Sequence, residues 1–298
     1  MTIMERKSSD VVAHAVAFAT VAVWGSTFVS TKVLIANGLS PAQIFTVRFA
    51  MAYVLMLAVS HKRLFASSLR DEAVMFLLGV TGGSAYFLTE NYALEHSTAT
   101  NVSLIVCSCP LFTMLLFRLF DGGVRLSRWQ VAGSAAAFVG MAAVVLNGRF
   151  VLQLSPIGDS LAFAACLCWA FYSLLIKRVS GRYSAAFVTR KVFFYGLATV
   201  LPYYLLFPGW PSLGVFARPE VAFNLLFLGC VASMVCFLAW TWVISRIGAM
   251  TATNYVYVNP LATIVFACWI LGERITLWFV LGAALILSGL YLNNKSTR

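Results

Sequence analysis

Nine stretches of this 298-residue chain contain no Asp, Glu, Lys or Arg: 11–31, 73–89, 97–117, 129–148, 160–176, 192–217, 221–245, 247–272 and 275–294. Most approach or exceed the roughly 20 residues that an α-helix needs to cross about 30 Å of hydrocarbon. A tenth stretch, 49–60, reaches spanning length once Arg48 and the residues before it are included. Water-soluble domains rarely carry such runs, because about a quarter of their residues are charged to solvate the surface. Here 10% are charged, 61% are hydrophobic and the mean hydropathy is +0.88. The runs are continuous rather than alternating, which argues against a lipid-facing β-barrel. The expected fold is therefore all-α, a polytopic membrane protein with ten transmembrane helices.

The net charge of +11 would suit a nucleic-acid face in a soluble protein, but its distribution points to a bilayer. If the ten helices alternate from a cytoplasmic N-terminus, only Arg149, Arg218 and Arg274 fall in outer loops. Lys32 and Arg48 fall within spans, and every other Lys and Arg falls on the inner side. This is the positive-inside pattern, and it expects both termini in the cytoplasm of a cell whose inner (plasma) membrane holds the protein, with no nucleic-acid partner. The polar head MTIMERKSSD precedes the first run without a small-residue cleavage site, so the first helix is expected to be retained. The seven cysteines, Cys107, Cys109, Cys166, Cys168, Cys230, Cys236 and Cys268, lie almost entirely within spans and lack metal-finger spacing. They read as small packing residues, and no metal site is expected.

Internal similarity organises the runs. AFATVAVWGSTFVSTK (17–32) lies over AFAACLCWAFYSLLIK (162–177), matching Trp24 with Trp169 and Lys32 with Lys177. CSCPLFTMLLF (107–117) resembles YVNPLATIVFA (257–267), matching Pro110 with Pro260, and Gly133 and Gly140 match Gly282 and Gly289. The halves are then 1–148 and 149–298, with five spans each. Five is odd, so the second half enters from the opposite side and the repeats must be inverted, as in many transporters that alternate access around a midplane site. Pro110 and Pro260 interrupt helices 4 and 9 at matched points, either as gating kinks or as static packing devices. The paired glycines, seven apart on one helix face, suit close packing or a surface for a homo-oligomer.

Polar residues inside spans are expensive and therefore informative. Lys32 and Lys177 sit near opposite membrane faces, where each either snorkels to water or places fixed positive charge at a mouth. Arg48 lies a few residues inside helix 2. Glu90, toward the same side on helix 3, is its expected partner, leaving open a structural Arg48–Glu90 pair or a substrate contact. Helical phase places Tyr86 with Glu90; Trp24, Thr27 and Thr31 on one stripe; Trp169 with Tyr172; and Asn254 near Tyr257, Asn259 and Pro260. Trp240 on helix 8 suits either this group or an interfacial belt. Aromatic rings with Asn, Thr and one arginine would line a cavity for an amphipathic organic solute. An amino acid fits best, and an aromatic or large neutral one above all. Enzymatic signatures are lacking: there is no HExxH, phosphate loop, GxSxG elbow or dinucleotide fingerprint, so no cofactor and no ATP-driven cycle is expected of this chain alone.

The stretches AVWGSTFVSTKVLIANGLSPAQIFTVRFA and YVYVNPLATIVFACWILGERIT resemble the EamA-type drug/metabolite transporter superfamily. The resemblance covers nearly the whole chain, in two copies, and implies a ten-helix bundle in an inverted five-plus-five arrangement. It also implies export of amino acids or related metabolites. Other cargo in that class would be drugs, purines or nucleotide sugars, and a different class would be a non-transporting membrane scaffold or sensor. The family's early arginine matches Arg48 and its late glutamate matches Glu273. The first half departs from the second motif, since FDGGVRLSRW has Gly123 near the corresponding place, and Arg274 beside Glu273 suits a local pair.

Overall fold

The computed structural model describes residues 3–97, 99–121, 127–146, 155–207, 209–262 and 276–295. Among these residues the chain is a bundle of helices with no strands; one isolated bridge joins Ser180 to Tyr183. In chain order the helices are α1 (Ile3–Ala36), α2 (Pro41–Val59), α3 (Leu69–His96) and α4, in the two segments Ala99–Val106 and Cys109–Phe120. There follow α5 (Arg128–Leu146), α6 (Pro156–Val179), α7 (Ala185–Leu206), α8 (Pro219–Ile247), α9 (from Ala249) and α10 (Leu277–Lys295). Local chemistry sets several starts. The Ser40 side chain caps α2 while Gln43 reaches back to the Ser40 amide, a reciprocal capping box with Pro41 in the first turn. The Ser68, Ser155 and Ser184 hydroxyls cap α3, α6 and α7, each accepting from the backbone amide three residues on.

Among the described residues, six helices are long and apolar enough to cross a membrane: α1 from Asp10, α2, α3, α4 from Val102, α6 and α8. The remaining four expected spans fall short of that standard for visible reasons. Helix α7 carries Arg190 and Lys191, α5 opens on Arg128 and Gln130, the apolar part of α10 is shorter, over Leu277–Asn293, and residues 263–275, where the ninth span was expected to run, lie outside the described residues. Gly123, Arg149, Cys268, Glu273 and Arg274, with the local pair expected of the last two, also lie outside them.

Two contacts carry the symmetry read from the repeat. Gly133 on α5 packs against Gly289 on α10, and Gly140 packs against Gly282. The partners are exchanged: as the number rises along α5 it falls along α10, so these equivalent helices run antiparallel. A Cβ placed on Gly133 would lie 2.6 Å from the Gly289 carbonyl oxygen, and one on Gly140 would lie 2.6 Å from that of Gly282. The absent side chains let the two backbones meet, as small residues do between membrane helices. The glycine faces are therefore used within the chain. The second contact is between the matched tryptophans, Trp24 and Trp169, whose rings meet edge to face at 5.4 Å. Both contacts fit a pseudo-two-fold axis between the halves.

Neither proline sits in an undisturbed helix. The chain turns at Cys107 and Ser108, and Pro110 occupies the first turn of the new segment. Before Pro260 the helix tightens to a 3₁₀ turn over Asn254–Val258. Two further distortions had no proline to announce them. Helix α3 is π-helical over Val80–Ser84, with Gly83 at φ −121 and ψ −105, and α8 is π-helical over Phe227–Val235. Such wide turns insert a residue and free backbone groups, frequently at functional sites.

Candidate functional site

A cavity lies where α1, α2, α3, α4, α6, α8 and α9 converge. Six of the ten residues expected to line it do so: Trp24, Thr27, Arg48, Tyr86, Glu90 and Trp169. The other four do not line it. Thr31 is buried in α1, and Tyr172 is buried with its ring 5.2 Å from that of Trp169. Tyr257 is fully buried in the 3₁₀ turn, and Asn254 is half-buried at its start. Asn259, one turn further, lines the cavity instead. The tightened backbone before Pro260 changes the angular spacing that an α-helix would have supplied.

Arg48 is 1% exposed and Glu90 is 7% exposed, yet the expected direct pair between them is not made. No Arg48 nitrogen approaches a Glu90 oxygen within the 4.0 Å of an ion pair. Arg48 instead donates from Nε to Ser233 Oγ at 2.9 Å, and its guanidinium carbon stands 4.3 Å from the centre of the Phe87 ring. Ser233 was not foreseen; its only signal was a hydroxyl within a long apolar run. The π-helical segment of α8 presents it, together with the Ala232 carbonyl, which accepts from Trp24 Nε1 at 2.9 Å. Glu90 accepts at Oε1 from the Tyr86 hydroxyl at 2.6 Å, the contact that four-residue helical spacing predicts. Thr27 turns its hydroxyl to its own helix, donating to the Trp24 carbonyl at 2.7 Å.

Rings close the space around these groups. Trp24 meets Trp169, Phe237 and Trp240 with centroids 5.1 to 5.6 Å away. Trp240 is fully buried in this cluster, so it does not belong to an interfacial belt. The remaining void is about 40 Å³, room for a few waters. The arrangement thus places a buried cation and a buried carboxylate on one small, ring-walled chamber. It leaves guanidinium donors and a carboxylate oxygen uncommitted to protein hydrogen bonds among the described residues.

The two lysines have other duties. Lys32 is half-buried and donates to the Ser97 carbonyl at 3.0 Å, where a cation at the end of α3 suits the unpaired carbonyls and the helix dipole. Lys177 has a half-exposed side chain and forms an ion pair with Asp121. Neither faces the cavity. No group of three or more His, Cys, Asp or Glu side chains that could hold a metal occurs among the described residues.

The architecture and the matched halves agree with comparison to known proteins. The EamA-like transporter family matches the chain twice, over residues 12–146 and 156–295. A protein of Streptantibioticus cattleyicolor named a probable terminal-alkyne amino-acid exporter is 28% identical over 93% of this chain and 92% of its own. One of Escherichia coli K12 named a probable amino-acid metabolite efflux pump is 26% identical over 92% and 91%. An Archaeoglobus fulgidus protein named only as a transporter is 26% identical over 94% and 96%. A solved crystal structure shares the fold, with a TM-score of 0.75 at 17% identity over 95% of this chain and 98% of the other. By two matches that together span nearly its whole length, the chain belongs to the EamA-like transporter family.

Proposed function

We propose that this membrane transporter exports amino acids, with aromatic or other large neutral ones favoured, by alternating access around the chamber between Arg48 and Glu90. One observation carries the reading: a buried guanidinium and a buried carboxyl group share a cavity without closing on each other. Burying an ion costs several kcal/mol unless an opposite charge and hydrogen bonds offset it. A zwitterion supplies both at once, its carboxylate to the Arg48 guanidinium and its ammonium to the free Glu90 oxygen. The rings of Trp24, Trp169 and Phe237 then cover the side chain and face the ammonium with their negative π surfaces.

The void is smaller than an amino acid, so binding requires the ring cluster to part. That demand fits a site occluded in one state and opened in another by movement of the halves. The antiparallel α5–α10 contact and the Trp24–Trp169 contact support a division near residue 148 into halves that move against each other. The exporter and efflux names of two relatives support outward movement. The clustering of Arg63, Arg182, Arg190, Lys191 and Lys177 contacts at one end of the bundle supports a cytoplasmic face there, with the protein in a bacterial inner membrane.

Purified protein in liposomes, loaded with unlabelled amino acid and given labelled phenylalanine outside, is expected to show counterflow. Large neutral amino acids should compete, and analogues lacking either the amine or the carboxylate should compete poorly. Absence of counterflow with every amino acid, from protein that is folded by size exclusion, would overturn the assignment.

A further inference from the structure

After α2 the chain turns through Ser60, His61, Lys62 and Arg63. Between this turn and the Arg182–Phe187 segment that leads into α7 lies a cleft of about 390 Å³. Its charge is one-sided. Arg63 is held in place, donating from Nε to the Phe65 carbonyl at 3.1 Å and from Nη2 to Ser67 Oγ at 2.5 Å, with its guanidinium over the Tyr183 ring. Arg182 gives Nη1 to Asp71 at 3.0 Å while its side chain stays 63% exposed. Lys62 and His61 are exposed and form no ion pair among the described residues. Nearby carboxylates are already committed: Asp71 to Arg182 and the Tyr183 hydroxyl, Glu72 to Lys191.

The cleft sits between the end of α2 and the start of α7, and exposed apolar side chains follow Arg63 along the chain. Leu64, Phe65 and Leu69 turn outward, with Phe65 70% and Leu69 91% exposed. A ligand that satisfies both halves of this surface has an anionic head for Lys62, Arg63 and Arg182, and hydrocarbon to lie over Phe65 and Leu69. We infer that the cleft is a headgroup site for an anionic phospholipid, beyond and independent of the transport chamber. Basic pockets between membrane helices bind such headgroups, each nearby Lys or Arg adding to the attraction. Inorganic phosphate would meet the same cations but gain nothing from the flanking apolar side chains.

The test uses the full chain in neutral detergent, titrated separately with phosphatidylglycerol, phosphatidylcholine and inorganic phosphate. Lipid retention is read by native mass spectrometry and the midpoint of thermal unfolding is followed in parallel. Phosphatidylglycerol is expected to be retained and to raise the midpoint, whereas phosphatidylcholine and phosphate should not. Lys62→Gln should weaken phosphatidylglycerol binding about fivefold. Lys62→Glu should abolish it, and Arg178→Gln, an exposed basic position outside the cleft, should leave it unchanged. Equal retention of both lipids, displacement by phosphate, or undiminished binding to the folded Lys62→Glu protein would each overturn the proposal. Because the readout is binding rather than flux, a failure here leaves the transport assignment standing.

Discussion

Two of the glutamates of helix α3, Glu72 in its first turn and Glu90 within its second half, are treated in opposite ways. Glu72 is filled. Its Oε1 takes Lys191 Nζ and the Tyr195 hydroxyl, and its Oε2 takes the Ala66 amide at 2.6 Å. Glu90 has the Tyr86 hydroxyl and no cation, although the buried Arg48 shares its cavity. A closed pair holds structure, because its charges are already matched. An open pair keeps binding free energy in reserve for a ligand. The closed pair also joins the two halves, as do Arg182–Asp71 and Lys177–Asp121, the other ion pairs among the described residues. All three lie on the side to which the charge bias assigns the cytoplasm. The structure thus has its halves tied by charge at one end, with the unpaired site deeper in the bundle.

Breaking the closed pair tests the contrast most severely. Glu72→Gln strands the buried Lys191 ammonium and should cost about 3 kcal/mol of stability. The loss would be read as a lower midpoint of thermal unfolding in detergent. Pairing it with Lys191→Met should restore most of that loss, since an apolar replacement of both partners removes the stranded charge. If Glu72→Gln were neutral, the closed pair would not be structural.

Arg48→Gln should do the reverse. Loss of a charged hydrogen-bonding partner for the substrate is worth about 2 kcal/mol, roughly a thirtyfold fall in counterflow rate at low substrate, with little change in thermal stability. Equal effects of Arg48→Gln and Glu72→Gln on both measurements would erase the distinction between the closed and the open pair. Glu90→Gln is expected to reduce amino-acid counterflow about tenfold. It should reduce competition by analogues that lack the amine much less, and a uniform loss across both classes would remove Glu90 from ammonium recognition. The smallest effect is expected at Lys177. Its pair with Asp121 is half-exposed, so Lys177→Gln should change stability by less than about 1 kcal/mol, measured by the same unfolding midpoint.

Much of the fold was legible because its causes are local or additive. Uncharged runs mark spans whatever their neighbours, and the Tyr86–Glu90 contact follows from helical spacing alone. The matched Trp24 and Trp169, and the exchanged glycine pairs, follow from the repeat once inversion is accepted. The site was legible in part. Arg48 and Glu90 were identifiable as costly buried groups, but their failure to pair was not. Trp240 read equally well as a belt residue, and nothing in the apolar run around Ser233 singled out that hydroxyl as the partner of Arg48.

Composition, internal similarity and helical phase determined that this chain crosses a membrane repeatedly, that its halves resemble each other in sequence, and which side chains are too polar to sit in lipid without a reason. Tertiary structure alone decided which of those side chains meet. That depends on the rotation and depth of each helix against its neighbours, and on the π-helical turns of α3 and α8 that shift every later residue around its helix. A span's stability in lipid is a sum over its residues and can be read along the chain. The approach of a guanidinium to one oxygen rather than another is settled by a few ångströms of packing that no single helix contains.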